Sequence, residues 1–163
     1  MLIIKWFAIV VVLLIVVGIA AGQLGLLQGK APTDLGVRDG KLKPPSMTEN
    51  SVTSQAVLYP DHPQRKYADI APLALQGDGP GTLARIKAIV ESMNGAKVVK
   101  SEPDYLYAQF TTKLMKYVDD VEFWYDPAAK VIQVRSASRV GRGDLGVNRK
   151  RIEAVRSALE ATK

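Results

Sequence analysis

Between Trp6 and Gly29 the chain carries no charged side chain. Its centre, AIVVVLLIVVGIA from Ala8 to Ala20, is rich in leucine and β-branched residues. Wound as one helix at about 1.5 Å per residue, the uncharged stretch would run roughly 36 Å, enough to cross the hydrocarbon core of a bilayer with some tilt. Trp6 stands at the edge, where indole rings prefer to sit. With Val11, Leu14 and Val17 it marks the expected anchor. The competing reading is a cleaved secretory signal, because Gly18-Ile19-Ala20-Ala21-Gly22 supplies small residues near a candidate cleavage point. Against it, the segment before the apolar core has only Lys5, and the apolar run continues through Leu24, Leu26 and Leu27. That exceeds the usual core of a signal peptide. Residues 1–29 are therefore expected to form a single-pass transmembrane anchor.

Charge and architecture pull orientation in opposite directions. Lys30, Arg38, Lys41 and Lys43 come after the span, offset by Asp34 and Asp39. A positive-inside count places the rest of the chain in the cytoplasm. A very short amino-terminal tail before one apolar helix is the pattern of a signal anchor that exports its carboxy-terminal domain. The expected setting is a bacterial inner (cytoplasmic) membrane, with the domain in the periplasm.

The chain as a whole has the composition of a folding sequence. Hydrophobic residues make up 47% of the 163 positions, too many for global disorder. There is no cysteine, which excludes intrachain disulfides, thiol nucleophiles and cysteine-based metal or iron–sulfur sites. His62 is the only histidine. A zinc site or a Ser-His-Asp triad would have to be built on it, and the sequence has neither spacing. No metal and no cofactor are expected. The net charge of +6 favours anionic partners, lipid headgroups among them, and says nothing about fold.

Residues 30–48 mix glycine, proline and charge without an apolar period, and read as a linker to a domain over residues 49–163. Asn50 to Ser54 reads as a polar turn or short strand, and Val57 to Arg65 as irregular. Ile70 to Leu75 is a short apolar segment whose proline suits an edge strand. Thr82 is a candidate N-cap for a helix in which Leu83, Ile86, Ile89, Val90 and Met93 share a face, stopped by Asn94-Gly95. Strands are expected over Lys97–Glu102, Tyr105–Thr112, Val118–Tyr125 and Lys130–Ser136. A last helix is expected over roughly Val147–Ala161. The order βαββββα describes an α+β fold, an antiparallel sheet with helices packed on one face.

Period-two geometry puts Asp120, Glu122 and Trp124 on one face of the third of these strands and Val121, Phe123 and Tyr125 on the other. Only registers that set Ile132 and Val134 beside Val121 and Phe123 keep a face apolar, and those put Arg135 with Asp120 and Glu122. Carboxylate–guanidinium pairing across the hairpin is the expectation, favoured over general acid–base work or hard-metal binding by these carboxylates. Ser136 and Ser138 lie between Arg135 and Arg139 without a histidine base, so no catalytic residue is assigned. Arg135, Arg139, Arg142 and the start of the last helix form a corner that either takes an anion or is closed internally. Closure is favoured, because Asp144 is placed to pair with an arginine or cap the helix, beside Asn148 as N-cap. Asp119, beside Asp120, belongs to the same acidic cluster. Arg149, Lys150, Arg151 and Arg156 read as the solvated face of an amphipathic helix rather than a nucleic-acid patch.

Val118-Asp119-Asp120-Val121-Glu122-Phe123, then Arg135-Ser136-Ala137-Ser138-Arg139-Val140-Gly141 and Asp144 to Ile152, closely resemble the family known as domain of unknown function 1499, found in bacteria and plastids. The resemblance runs from about Asn50 to the carboxy terminus. Where that family often has cysteines around an Asn-Cys-Val-Ser-Ser core, this chain has Asn50-Ser51-Val52-Thr53-Ser54. Where it commonly has Gly-Tyr-Ser-Asp, this chain has Gly141-Arg142-Gly143-Asp144. The resemblance implies an envelope or organelle membrane setting and brings no activity. The leading expectation is a non-catalytic accessory or docking subunit of a membrane complex, with the lipid bilayer and other subunits as partners and no nucleic acid. The alternatives are a module binding an anionic small molecule or lipid headgroup at Arg135, Arg139 and Arg142, and, last, a hydrolase using Ser136 or the carboxylates.

Overall fold

The computed structural model describes residues 2–162. Its centre is a hairpin of β5 (Val118–Asp126) and β6 (Val131–Ser138). The Asp126 side chain accepts the N–H groups of Ala128 and Ala129, both at 3.0 Å, and Lys130 takes a left-handed φ of 53° to close the turn. Phe123 then pairs with Val134 and Glu122 with Arg135. Val121, Phe123, Ile132 and Val134 lie on one face, and the charged residues on the other, as the alternation predicts.

The sheet grows antiparallel from this hairpin. β4 (Tyr105–Thr111) pairs with β5, and β3 (Ala96–Ser101) pairs with β4. β1 (Ser51–Thr53) and β2 (Leu73–Ala74) share the outer edge of β6, β1 opposite Arg135–Ala137 and β2 opposite Val131–Ile132. The strand order is β1-β6-β5-β4-β3, with β2 beside β1 on β6. Helices α3 (Gly79–Ser92) and α4 (Val147–Glu160) cover the apolar face, where Ile86, Val90, Ile152 and Val155 pack on Phe123 and Val134. This is the expected α+β fold. The segment from Asn50 to Ser54 contains strand β1, and the stretch expected to be irregular, Val57 to Arg65, lies between a short 3₁₀ turn at Ala56–Leu58 and the one-turn helix α2 (Arg65–Ala68), overlapping each at its end.

α3 starts earlier than its apolar pattern implies. Asp78, not Thr82, is the N-cap, accepting the Gly81 N–H at 2.6 Å, and Pro80 sits in the first turn where its missing donor costs nothing. Thr82 is buried, and its hydroxyl donates back to the Asp78 carbonyl at 2.7 Å.

Residues 34–44 lie across the polar face of the sheet as a strap. The Gly36 N–H reaches Glu122 at 2.8 Å, and the Leu42 N–H reaches the Gln55 side chain at 2.7 Å. Leu42, 2% exposed, packs against Tyr105 and Trp124. Lys43 pairs with Asp34 at 2.7 Å, which holds the strap against itself. The contacts are mostly made by backbone and one leucine, so no periodicity marks them in the sequence. Helix α1 (Leu2–Gln23) is long and apolar enough to cross a membrane, and Trp6, Val11, Leu14 and Val17 on it are exposed.

Leu42→Ala is expected to cost about 2–5 kcal/mol, the usual range for emptying a buried leucine site. Hydrogen exchange should accelerate at the Gly36 and Leu42 amides while the β5–β6 ladder stays protected.

Candidate functional site

Consecutive residues on a strand face opposite ways, so the carboxylates of β5 divide between the two faces. Asp119 turns toward α4. Arg151 reaches it at 2.5 Å, donates to Ser136 Oγ at 2.9 Å and to Asn148 Oδ1 at 2.8 Å, and lies 4.6 Å from the centroid of the Phe110 ring. Asp120, on the strap side, takes a two-pronged contact from Arg139, Nε at 2.8 Å and Nη2 at 2.7 Å. The Tyr107 hydroxyl donates to it at 2.6 Å. This pairing with Asp120 pushes the Arg139 pKa above its ordinary value.

Glu122 is fully buried. Its Oε1 accepts from the Gly36 N–H at 2.8 Å and the Tyr105 hydroxyl at 2.7 Å. Burial, then the adjacent Glu122 charge, raises the Tyr105 pKa and keeps that hydroxyl a donor. Among the described residues Oε2 of Glu122 has no hydrogen-bond partner, and the nearest Arg135 nitrogen is 3.7 Å away. That distance permits Coulomb attraction but no hydrogen bond. Arg135 itself is buried, and among the described residues its one side-chain hydrogen bond is a long one, from Nε to the Pro44 carbonyl at 3.3 Å. A guanidinium carries five N–H donors, and this one leaves most of them open. Desolvation pulls its pKa down, opposed by Glu122 and Asp120.

Arg135 lines a cavity of about 390 Å³ between the strap and β6. Lys30, Lys43, Pro45, Asp120 and Arg139 also line it. Arg139, bonded to Asp120, shares this cavity with Arg135, whereas Arg142 is exposed and is not part of its lining.

Asp144 serves α4 rather than an arginine. It accepts the N–H groups of Gly146 at 2.9 Å and Asn148 at 3.1 Å, and the hydroxyl of Tyr67. Burial works to raise its pKa, but the hydrogen bonds from Tyr67, Asn148 and Gly146 outweigh it and hold the carboxyl below its ordinary value. Burial, then the bond to Asp144, pushes Tyr67 up to about 12. Asn148 is not the N-cap. It lies in the first turn of α4, after Gly146 in the left-handed region, and its side chain joins Ser136 (2.6 Å), Ser138 (3.0 Å) and the Asn50 carbonyl (3.1 Å).

The basic residues of α4 are mostly not a solvated face. Arg149 donates to the carbonyls of Tyr67 and Asp69, Arg156 to those of Ala71 and Pro72, and Arg151 to Asp119. Lys150 alone of the four points to solvent with no partner among the described residues. Ser136 is tied to Asn148 and Arg151, while His62 bonds within its own turn to the Gln64 N–H at 3.1 Å, so the two do not meet. Among the described residues no group of three or more His, Asp or Glu side chains converges as a metal site would.

Sequence reasoning missed Lys43, Tyr105 and Gln55 as parts of this site. Tyr105 shares the polar face by simple alternation, so its place was readable; the strap residues carried no comparable signal. Also missed were Gly18 and Gly22, whose spacing of four is itself a signal for close approach on a helix face.

The chain belongs to the family described as protein of unknown function (DUF1499), whose model matches residues 41–159. The match takes in the strap from Lys41 onward and the β5 and β6 charges named above, and leaves out α1. No curated protein and no solved structure matches the chain.

Asp144→Ala is expected to cost about 1–2 kcal/mol at neutral pH, the usual value of a lost cap. Because the folded-state pKa of Asp144 is depressed, the unfolded chain takes up its proton first as pH falls. Its contribution is complete above the ordinary aspartate range and disappears as pH falls through the folded value. Urea unfolding of the two proteins should therefore converge below about pH 4.

Proposed function

We propose that this chain is a membrane-tethered, non-catalytic binding module that receives an anionic group, carboxylate or phosphate, at Arg135 beneath the strap. The observation that carries this reading is the buried guanidinium, bordered by open space and held by one long hydrogen bond. Glu122 balances its charge at 3.7 Å but leaves its donors open. A buried cation with free donors is costly unless something completes its shell. An anion entering past Lys30 and the Lys43–Asp34 pair would do so, oriented by a planar fork. The domain is proposed to stand on the periplasmic side of a bacterial inner membrane. A cytoplasmic signal from a reporter fused at the carboxy terminus would overturn that placement.

A second reading, an accessory subunit of a membrane complex, is favoured by the exposed apolar surface of α1, which the chain covers only near its carboxy-terminal end. Purification from native membranes in mild detergent should then recover neighbours, and a solitary monomer counts against it.

Thermal unfolding of the full chain in detergent micelles, with inorganic phosphate against chloride at matched ionic strength, tests the binding reading. Phosphate at ten times its dissociation constant should stabilise the protein by about 1.4 kcal/mol. Lys43→Gln should reduce the shift and Arg135→Gln should abolish it. No shift in the unaltered protein, or an equal shift in both variants, sinks the proposal.

A further inference from the structure

The loop between β4 and β5, residues 112–117, is pressed against the last turns of α1. A Cβ at Gly22 would stand 2.7 Å from the Met115 carbonyl oxygen, so only glycine admits this backbone approach. One turn earlier, Gly18 faces the end of the Met115 side chain, with a Cβ there 3.9 Å away. The Gln23 amide donates to the Leu114 carbonyl at 2.8 Å. The two glycines thus seat a loop of the same chain. At 1.5 Å per residue, Gly18 lies roughly 7 Å back along the helix from Gln23. If α1 crosses a bilayer, Leu114 and Met115 must sit at the depth of its outer apolar turns.

The rest of this end of the domain fits the same surroundings. β4 ends, β5 begins and β6 ends here, bringing the 112–117 loop beside residues 139–146. Gly29, just beyond α1, lies against Arg139 and Val140. Leu114 is 56% exposed, Val140 43% and Leu145 94%. Leu145 holds a left-handed φ of 52°, an unfavourable conformation for leucine, with its side chain pointing outward. A groove of about 500 Å³ runs between Tyr117, Val140 and Leu145. Around this patch stand Lys113, Lys116, Arg142 and Lys150, with no ion-pair partner among the described residues. Apolar tips ringed by free cations are the pattern of a surface that enters the headgroup–acyl boundary of an anionic membrane.

We infer that this end of the domain is seated in the bilayer, with Leu114, Met115, Val140 and Leu145 below the headgroups and Lys113, Lys116, Arg142 and Lys150 among anionic ones. The strap cavity plays no part in the inference, which stands or falls separately from anion binding at Arg135.

The chain has no cysteine, so single cysteines can be introduced and labelled without background. The full chain is placed in lipid nanodiscs with an environment-sensitive fluorophore at Leu114→Cys, Leu145→Cys or Ala128→Cys. Ala128 is exposed in the β5–β6 turn at the opposite end of the sheet. Spin labels high on the acyl chains should quench the first two labels several-fold more than the third. Replacing phosphatidylglycerol by neutral lipid should weaken quenching at Leu145. Gly22→Leu, which clashes with the Met115 backbone, should move the Leu114 label toward water while circular dichroism shows the domain still folded. Labels at Leu114 and Leu145 that behave like Ala128 would overturn the inference, and quenching indifferent to lipid charge would overturn the role of the cations.

Discussion

The pairing of Glu122 with Arg135 across the β5–β6 ladder is the constraint on which the rest is arranged. A slip of one residue would turn Phe123 and Val121 toward the strap and Glu122 toward the helices. In the observed register the apolar side chains meet α3 and α4 and the charges meet the strap. β1 then reads the same alternation, placing Val52 in the core and pairing Thr53 with Arg135.

The polar face is an expensive construction. Burying Asp120, Glu122 and Arg135 removes three charges from water, and such groups rarely add net stability. Asp120 is fully answered by Arg139 and Tyr107. Glu122 and Arg135 are answered only in part, and the strap that covers them leaves a cavity at the guanidinium. On the other side of the sheet the equivalent question is closed, because Arg151 satisfies Asp119 and braces Ser136 and Asn148 as well. These two carboxylates of one strand therefore differ: Asp119 is held by a guanidinium at hydrogen-bond distance, and Glu122 is answered only in part.

The two ends of the sheet are as different as its two faces. One ends in the Asp126–Lys130 turn, tied by hydrogen bonds. The other gathers exposed apolar side chains, and cations without an ion-pair partner among the described residues, near the carboxy-terminal end of α1. The strap begins soon after α1, and Lys30 and Arg139 join Arg135 in lining the cavity beneath it.

The sequence by itself determined the apolar segment, the strand alternation and the face on which each β5 and β6 charge lies, because these depend on local periods of 3.6 and 2 residues. It also limited the chemistry, having one histidine and no cysteine. Which arginine meets which carboxylate was legible only as a shared face. Arg151 and Arg156 read as surface charges on a helix and proved to be ties to Asp119 and to the carbonyls near Pro72. Asn148 read as a cap, but Asp144, four residues earlier, does that work. The strap read as a linker, because mostly backbone groups hold it, with Leu42 and Val37, and backbone hydrogen bonds leave no side-chain pattern. Those decisions belonged to tertiary structure, where contacts are made between residues far apart in the chain and only packing selects among partners of equal chemistry.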